Sequence, residues 1–219
     1  MPGWLLEEEA AFDARSFGPA SRPLRPSTEI YSILLKKIVI LNNRKLFGSA
    51  DVVIFSVAAN GIIDLKSGPP VWTQELRFGN IRDGAILPID PDAGVLLFRG
   101  RARAFLNLYL FVIRDMESAR QFAGRLRDSF LAEGIGAAVG AAAAGHGLSD
   151  QSIRDSTTKL VRGVLNQFTK LGDKALGAYY ASFLRENNYG TGLHPANYPA
   201  SLLKCGEAVD MAYQVTMTS

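Results

Sequence analysis

The chain has 219 residues, a net charge of +3 and a hydrophobic fraction of 47%, which suffices for a folded core and excludes wholesale disorder. Its 24 basic residues are spread along the sequence, so no focused basic stretch indicates a nucleic-acid partner. The single cysteine excludes an intramolecular disulfide. We expect a cytoplasmic protein, because Glu7–Glu9 occupy the place of a secretory leader's apolar run and no window reaches the ~20 apolar residues of a membrane span.

Residues 1–27 predict a short amphipathic helix followed by a Pro-rich arm. Within 1–16, Trp4 and Phe12 fall on one side and acidic residues on the other. The segment from Gly18 to Ser27 contains three prolines and is predicted to be extended. Two interpretations stay open for this arm: a lid or binding site for an activating protein partner, and a poorly ordered terminus.

Residues 28–115 predict an antiparallel β-sandwich. The predicted strands cover 29–41, 50–58, 62–65, 72–78, 84–89, 95–99 and 104–114. Turn signals such as Asn60-Gly61 separate them, and no helical crossovers of the kind that a parallel sheet requires lie between them. The run Ala104–Arg114 is apolar almost throughout, which indicates a strand covered on both faces. We expect 95–99 to pair with 84–89, and 202–217 to complete the sandwich.

Residues 116–188 predict a long α-helical hairpin that is inserted in or appended to the sandwich. Apolar residues recur at steps of three and four in 117–131, and again from the N-cap signal at Ser149-Asp150 to about Asn187. Between these helices, Leu131–Gly147 contains 12 Gly or Ala among 17 residues. The predicted fold class is therefore α+β: a sandwich with a helical hairpin whose tip is rich in Gly and Ala.

The Gly/Ala tip has two interpretations. It is a tight hairpin turn in water, or it is a segment that inserts conditionally into a membrane, because interior glycines cost a soluble helix about 1 kcal/mol each and small residues four apart let helices pair in lipid. The residues predicted to insert and pair are Ile135, Gly136, Val139, Gly140 and Ala144. The flanking basic residues predicted to contact anionic headgroups are Arg125, Arg127 and Arg154.

Two short pieces of the chain resemble a C2 domain. They are Asn43–Val57 (NRKLFGSADVVIFSV) and Leu108–Glu117 (LYLFVIRDME). The resemblance covers residues 28–115 and implies an eight-stranded sandwich with Asp51, Asp115 and Glu117 at the family's calcium-ligand positions. No acid lies in 42–48 and Glu117 replaces an aspartate, so the resemblance implies binding of lipid or protein through the loops without calcium.

The sequence offers no catalytic constellation. His146 and His194 are too few and too far apart in sequence to predict a metal cluster or a triad, so we expect no enzyme, no metal and no cofactor. The leading hypothesis is a non-enzymatic, membrane-active protein, peripheral or conditionally inserted at anionic lipid, which oligomerises like a pore-forming or membrane-disrupting effector. The alternative is a soluble, self-associating interaction or scaffold module with a C2-like sandwich that binds lipid or protein.

Overall fold

The computed structural model describes residues 28–60, 62, 71–103, 105–133, 163 and 165–218. In chain order its strands are β1 (Ile30–Ile40), β2 (Ala50–Ala59), β3 (Val71–Ile81), β4 (Ala85–Ile86), β5 (Val95–Gly100), β6 (Phe105–Arg114), β7 (Ala175–Leu184), β8 (Gly192–His194), β9 (Leu203–Lys204) and β10 (Val209–Thr218). The helix α1 spans Met116–Glu133, and a second helical segment has its described part at 163 and 165–169. Short 3₁₀ turns lie at Gly172–Lys174 and Arg185–Gly190.

All strand pairs are antiparallel, and they form two sheets. In the first sheet β1 and β10 lie at the centre, β4 and β5 follow the outer edge of β1, and β8 and β9 follow the outer edge of β10. The second sheet has the order β3-β2-β6-β7. Buried residues of both sheets share one apolar core, so the two sheets pack face to face as the sequence pattern predicted.

Strand β6 is the most deeply buried element. All ten of its residues are buried, which confirms the prediction of a strand covered on both faces. Leu108 and Leu110 point into the core between the sheets, while Tyr109 and Phe111 point to the other face of the second sheet. That other face is covered by α1 and by residues 165–169, so the chain forms three layers.

The helices are held on the second sheet by an aromatic cluster. Phe122 of α1 lies 5.7 Å from Phe55 and 5.3 Å from Phe111, measured between ring centroids. Phe168 of the second helical segment lies 5.1 Å from Phe111. Such packing stabilises the folded state in two ways. Each ring is removed from water, and each aromatic pair adds a further ~1 kcal/mol.

The predicted helix from 149 to about 187 is wrong over its last third. The helical residues end at Phe168 and Thr169, the 3₁₀ turn Gly172–Lys174 follows with Gly172 at φ +58°, and Ala175–Leu184 form β7. Apolar residues fill so many positions of 175–184 that they satisfy a helical and a strand period alike. Pairing with β6 then decides the conformation, because it completes the backbone hydrogen bonds of the buried strand.

The predicted pairing of 95–99 with 84–89 is also wrong. Both β4 and β5 pair with β1, one after the other along its length. The turn between them is held by Asp90, whose carboxylate accepts hydrogen bonds from the Asp92 and Ala93 amides, and by Lys36, whose Nζ donates to the Asp92 carbonyl at 2.6 Å. The returning strands predicted within 202–217 are present as β9 and β10.

Candidate functional site

The loop between β1 and β2, residues 41–49 and here called the tip loop, exposes two large apolar side chains. Leu46 is 94% and Phe47 is 92% exposed, far above the other large hydrophobic residues of the described chain. Single exposed apolar residues are ordinary, but two adjacent ones that touch almost nothing contribute nothing to the folded core. Their exposure therefore needs a reason outside the stability of this chain.

Asn43, which is fully buried, connects the two ends of the tip loop. The Asn43 side-chain amide donates to the Gly48 carbonyl at 3.2 Å and to the Ile81 carbonyl at 3.0 Å, and its backbone amide donates to Asp83 Oδ1 at 2.6 Å. The Asn43 side-chain oxygen in turn accepts the Lys45 amide at 2.8 Å. This network fixes both ends of the loop, so Leu46 and Phe47 are presented by a supported turn.

Arg114, at the end of β6, supports the base of the tip loop from below. Its side chain is 7% exposed, and it donates through Nη1 to the Arg44 carbonyl and through Nη2 to Asp173 Oδ2 at 2.5 Å. Arg44 donates through its own Nη1 to the Ala175 carbonyl at 2.9 Å. The tip loop is therefore tied directly to the segment that leads from the helices into β7.

The end of the molecule that carries the tip loop is rich in exposed basic side chains. The strand ends Ile40, Ile81, Arg114 and Val209 all lie here, as the sheet registers require. Exposed basic residues of this end are Arg44, Lys45, Arg82, Lys170 and Lys204, and its exposed acids are Asp51, Asp83, Asp173 and Glu207. Asp173 forms an ion pair with the buried Arg114, which leaves five exposed basic side chains against three exposed acids at this end.

The carboxylates that the C2 resemblance implies as calcium ligands do not converge. The backbones of Asp51 and Asp115 are adjacent, since the Asp115 amide donates to the Asp51 carbonyl at 2.9 Å. Asp51 Oδ1 accepts the Asn80 amide on the β3 side, whereas Asp115 accepts the Ser118 amide at 2.7 Å and pairs with Lys174 at 2.9 Å on the β7 side. No group of three or more potential metal ligands occurs among the described residues.

Asp115 instead caps α1 and anchors both ends of the helical region. Its carboxylate accepts one amide of the first turn of α1, at the start of the helical region. The same carboxylate pairs with Lys174, which lies at the end of this region, just before β7. Burial alone would raise the pKa of Asp115, but the Ser118 amide and the Lys174 ammonium together hold this pKa below its usual value. A lowered pKa means that the carboxylate stabilises the folded state above about pH 4 and loses this effect as the pH falls through the folded-state pKa.

We expect Asp115→Asn to keep the helix cap and to lose the ion pair with Lys174. At neutral pH the variant should be less stable by under about 1 kcal/mol, because the ion pair is partly exposed. In thermal unfolding between about pH 2 and pH 7, this difference should shrink toward zero below the folded-state pKa. Lys174→Met is the matched variant from the other side of the pair. A difference that is independent of pH for both variants would contradict this role.

The residues predicted to insert into a membrane, Ile135, Gly136, Val139, Gly140 and Ala144, lie outside the described residues, as does Arg154. Arg125 is described and lies exposed on α1, and Arg127 belongs to the part of α1 whose side chains are outside the description. The arrangement of these residues therefore stays a prediction. The N-terminal arm, 1–27, and His146 also lie outside the described residues.

Away from the tip loop, Cys205, His194 and Tyr213 pack against neighbouring groups of the fold. Cys205 is fully buried, and burial raises the pKa of its thiol far above the usual range, so it packs as a small hydrophobic residue. His194 stacks on Tyr213 with 4.8 Å between ring centroids, and its Nε2 lies 2.7 Å from the Gly190 carbonyl. The Tyr213 hydroxyl is 3.1 Å from that of Tyr179.

Sequence reasoning did not single out the tip loop. The signal was present as an adjacent Leu46 and Phe47 inside a stretch of Asn, Arg, Lys and Gly, a place where a β-turn normally carries polar residues. The stretch lay inside one of the pieces that resemble a C2 domain. The resemblance implies a role for Asp51, whose carboxylate accepts the Asn80 amide in the structure.

Comparison with known proteins adds no relative: neither a family model nor a curated protein nor a solved structure matches this chain. The C2 resemblance therefore stays a prediction. Within the described part of the chain, no helix has both the length and the apolar character needed to cross a membrane.

Proposed function

We propose that this protein is a non-enzymatic membrane-binding protein that docks on anionic lipid through the tip loop. The observation that carries the proposal is the exposure of Leu46 and Phe47, 94% and 92%, at the apex of a loop whose base is hydrogen-bonded. A rigid turn with an apolar apex and basic neighbours matches a bilayer, where the apolar groups enter the acyl boundary and the cations meet the headgroups.

The expected strength follows from the apolar area of the two side chains. Full burial of Leu46 and Phe47 is worth about 1.5–3 kcal/mol each, or about 3–6 kcal/mol together. Each basic residue close to an anionic surface adds about 1 kcal/mol. Arg44 and Lys45 flank the apex on its N-terminal side. The sum supports reversible, peripheral binding that depends on anionic lipid and weakens with salt.

The test is flotation of the full chain with vesicles of phosphatidylcholine alone and of phosphatidylcholine with phosphatidylserine. We expect the protein to float with the anionic vesicles, to float much less with the neutral ones, and to be released from the anionic vesicles as the salt concentration rises. Absence of flotation with anionic vesicles at low salt would overturn the proposal. Equal binding to both vesicle types would remove the role assigned to the basic residues.

Conditional insertion of the Gly/Ala tip is the second step of the same proposal. The described helical residues are stored on the second sheet through Phe122 and Phe168, against Phe55 and Phe111. Such storage is consistent with release of the helical region on lipid. The segment then inserts through Ile135, Gly136, Val139, Gly140 and Ala144, and oligomerisation in the bilayer produces the pore-forming or disrupting activity. Arg125, Arg127 and Arg154 would contact the headgroups.

Insertion predicts leakage of dye from anionic vesicles. We expect Gly140→Asp to reduce the leakage rate at least about tenfold, because a charged residue at the centre of an inserted helix costs about 3 kcal/mol. The variant should still float with vesicles, since the tip loop is unchanged. Asn166→Asp, at an exposed position outside the apolar segment, adds the same single negative charge and is the control for an effect of net charge. Leakage of Gly140→Asp at the parent rate, with normal folding, would contradict insertion and leave docking untouched.

A further inference from the structure

Strand β3 is a long, unpaired sheet edge. It has 11 residues and pairs only with β2 among the described strands, so the backbone amides and carbonyls of its other side have no strand partner in this part of the chain. Natural proteins protect such edges, because an open edge is a template for another strand. The other sheet edges of the described chain are protected.

The remaining edges are short or covered. The outer edges of the first sheet are made of β4 and β5, with 2 and 6 residues, and of β8 and β9, with 3 and 2 residues. At the edge of β7, the Ala178 amide donates to the Cys205 carbonyl at 3.1 Å. Strand β3 has 11 residues, far more than any edge strand of the first sheet and one more than β7, and its register with β2 is regular from Val71 to Phe78.

The charges of β3 are complementary to a second copy of β3 in one register. In two antiparallel copies of β3 related by a twofold axis, residues that lie directly opposite each other point to the same face of the sheet. The numbers of two such residues therefore have an even sum. If the axis passes at Leu76, Glu75 of one copy faces Arg77 of the other, twice. If the axis shifts by one residue, Glu75 faces Glu75 or Arg77 faces Arg77, and the pairing is repulsive.

We propose that the protein forms a homodimer by antiparallel pairing of β3 with β3 of a second copy, about a twofold axis at Leu76. The second sheets of the two copies then form one continuous eight-stranded sheet. Glu75 and Arg77 are partly exposed, at 28% and 53% of their side chains, and they pair with each other within the chain. On dimerisation they exchange this contact for two contacts across the axis. The dimer needs no lipid and does not depend on the tip loop.

The test reverses the charge of Glu75 or of Arg77 and measures the dimer Kd by sedimentation velocity of the full chain without lipid. Glu75→Arg and Arg77→Glu each place like charges opposite each other at two symmetric contacts, so each variant should raise the dimer Kd about tenfold or more. A 1:1 mixture of the two variants restores both attractive contacts. The mixture should therefore dimerise with nearly the parent Kd. Arg99→Glu, at an exposed position of β5, is the matched control and should leave the Kd unchanged.

Three results would overturn the dimer. The first is a parent protein that stays monomeric at concentrations well above micromolar. The second is a dimer whose Kd is the same in the parent and in both reversed variants. The third is a mixture that dimerises no better than either variant alone. Because the mixture contains only the two variant chains, recovery also shows that both variants are folded.

Discussion

Replacement of both Leu46 and Phe47 by Asp is expected to reduce the partition coefficient on anionic vesicles about a thousandfold or more. The substitutions remove the ~3–6 kcal/mol of apolar burial and place two negative charges at a negative surface. Both side chains are more than nine-tenths exposed, so the free energy of unfolding should change by no more than ~0.5 kcal/mol. The measurement is flotation with phosphatidylserine-containing vesicles at fixed salt, with thermal unfolding as the check on folding.

The matched control for this variant is Leu96→Asp together with Met217→Asp. These residues are 42% and 47% exposed, and they lie on β5 and β10 away from the tip loop. The control introduces the same two charges and removes two large apolar side chains, yet it should retain binding to within a few fold. Equal loss in both variants would assign the effect to net charge. Normal binding of the tip variant would refute docking through this loop.

Gly177→Ala is expected to destabilise the fold by about 3 kcal/mol or more, which corresponds to a fall of roughly 10 °C in Tm. A Cβ at Gly177 would lie 2.2 Å from the Cys205 carbonyl oxygen and 3.2 Å from the Val209 side chain. The carbonyl cannot move away freely, because it accepts the Ala178 amide. The added methyl group would therefore collide with this carbonyl, and β7 would have to move away from the first sheet.

Gly124→Ala is the control, because it is the same chemical change at an open position. No atom lies within 4 Å of a Cβ at Gly124, which is exposed in the interior of α1. Ala is favoured over Gly there by up to about 1 kcal/mol, so this variant should unfold at a higher temperature than the parent. Thermal and urea unfolding of both variants measure the contrast. If both variants shift Tm in the same direction by similar amounts, the close contact between Gly177 and the Cys205 carbonyl is not rigid.

Much of the strand content could be predicted from the sequence alone. The strands at 30–40, 50–59, 71–81 and 105–114 appear as alternating or continuous apolar runs between turn residues, and these signals are local. The helix α1 was equally visible, because Ala119, Phe122 and Ala123 recur at helical steps. Its cap at Asp115 is a local signal too, because an Asp three residues before Ser118 can accept that amide.

The partners of the strands could not be predicted from the same signals. Residues 95–99 look like a hairpin partner of 84–89, but the turn held by Asp90 and Lys36 places both strands on β1. Residues 175–184 look helical, but their hydrogen bonds are to β6. In both cases the local pattern is compatible with two structures. Contacts between residues far apart in the chain choose between them, and a window of neighbouring residues contains no record of those contacts.

The sequence by itself determined the antiparallel sheets, the buried β6 and the helix that follows it, because burial of alternating apolar residues leaves few other solutions for such segments. Only the tertiary structure decided that Leu46 and Phe47 stand exposed rather than folding back onto the core. That outcome depends on the buried Asn43, on Arg114 beneath the loop and on the Ile81 carbonyl of a neighbouring strand. These groups lie up to 70 residues from the tip loop in sequence, so only the folded chain brings them together.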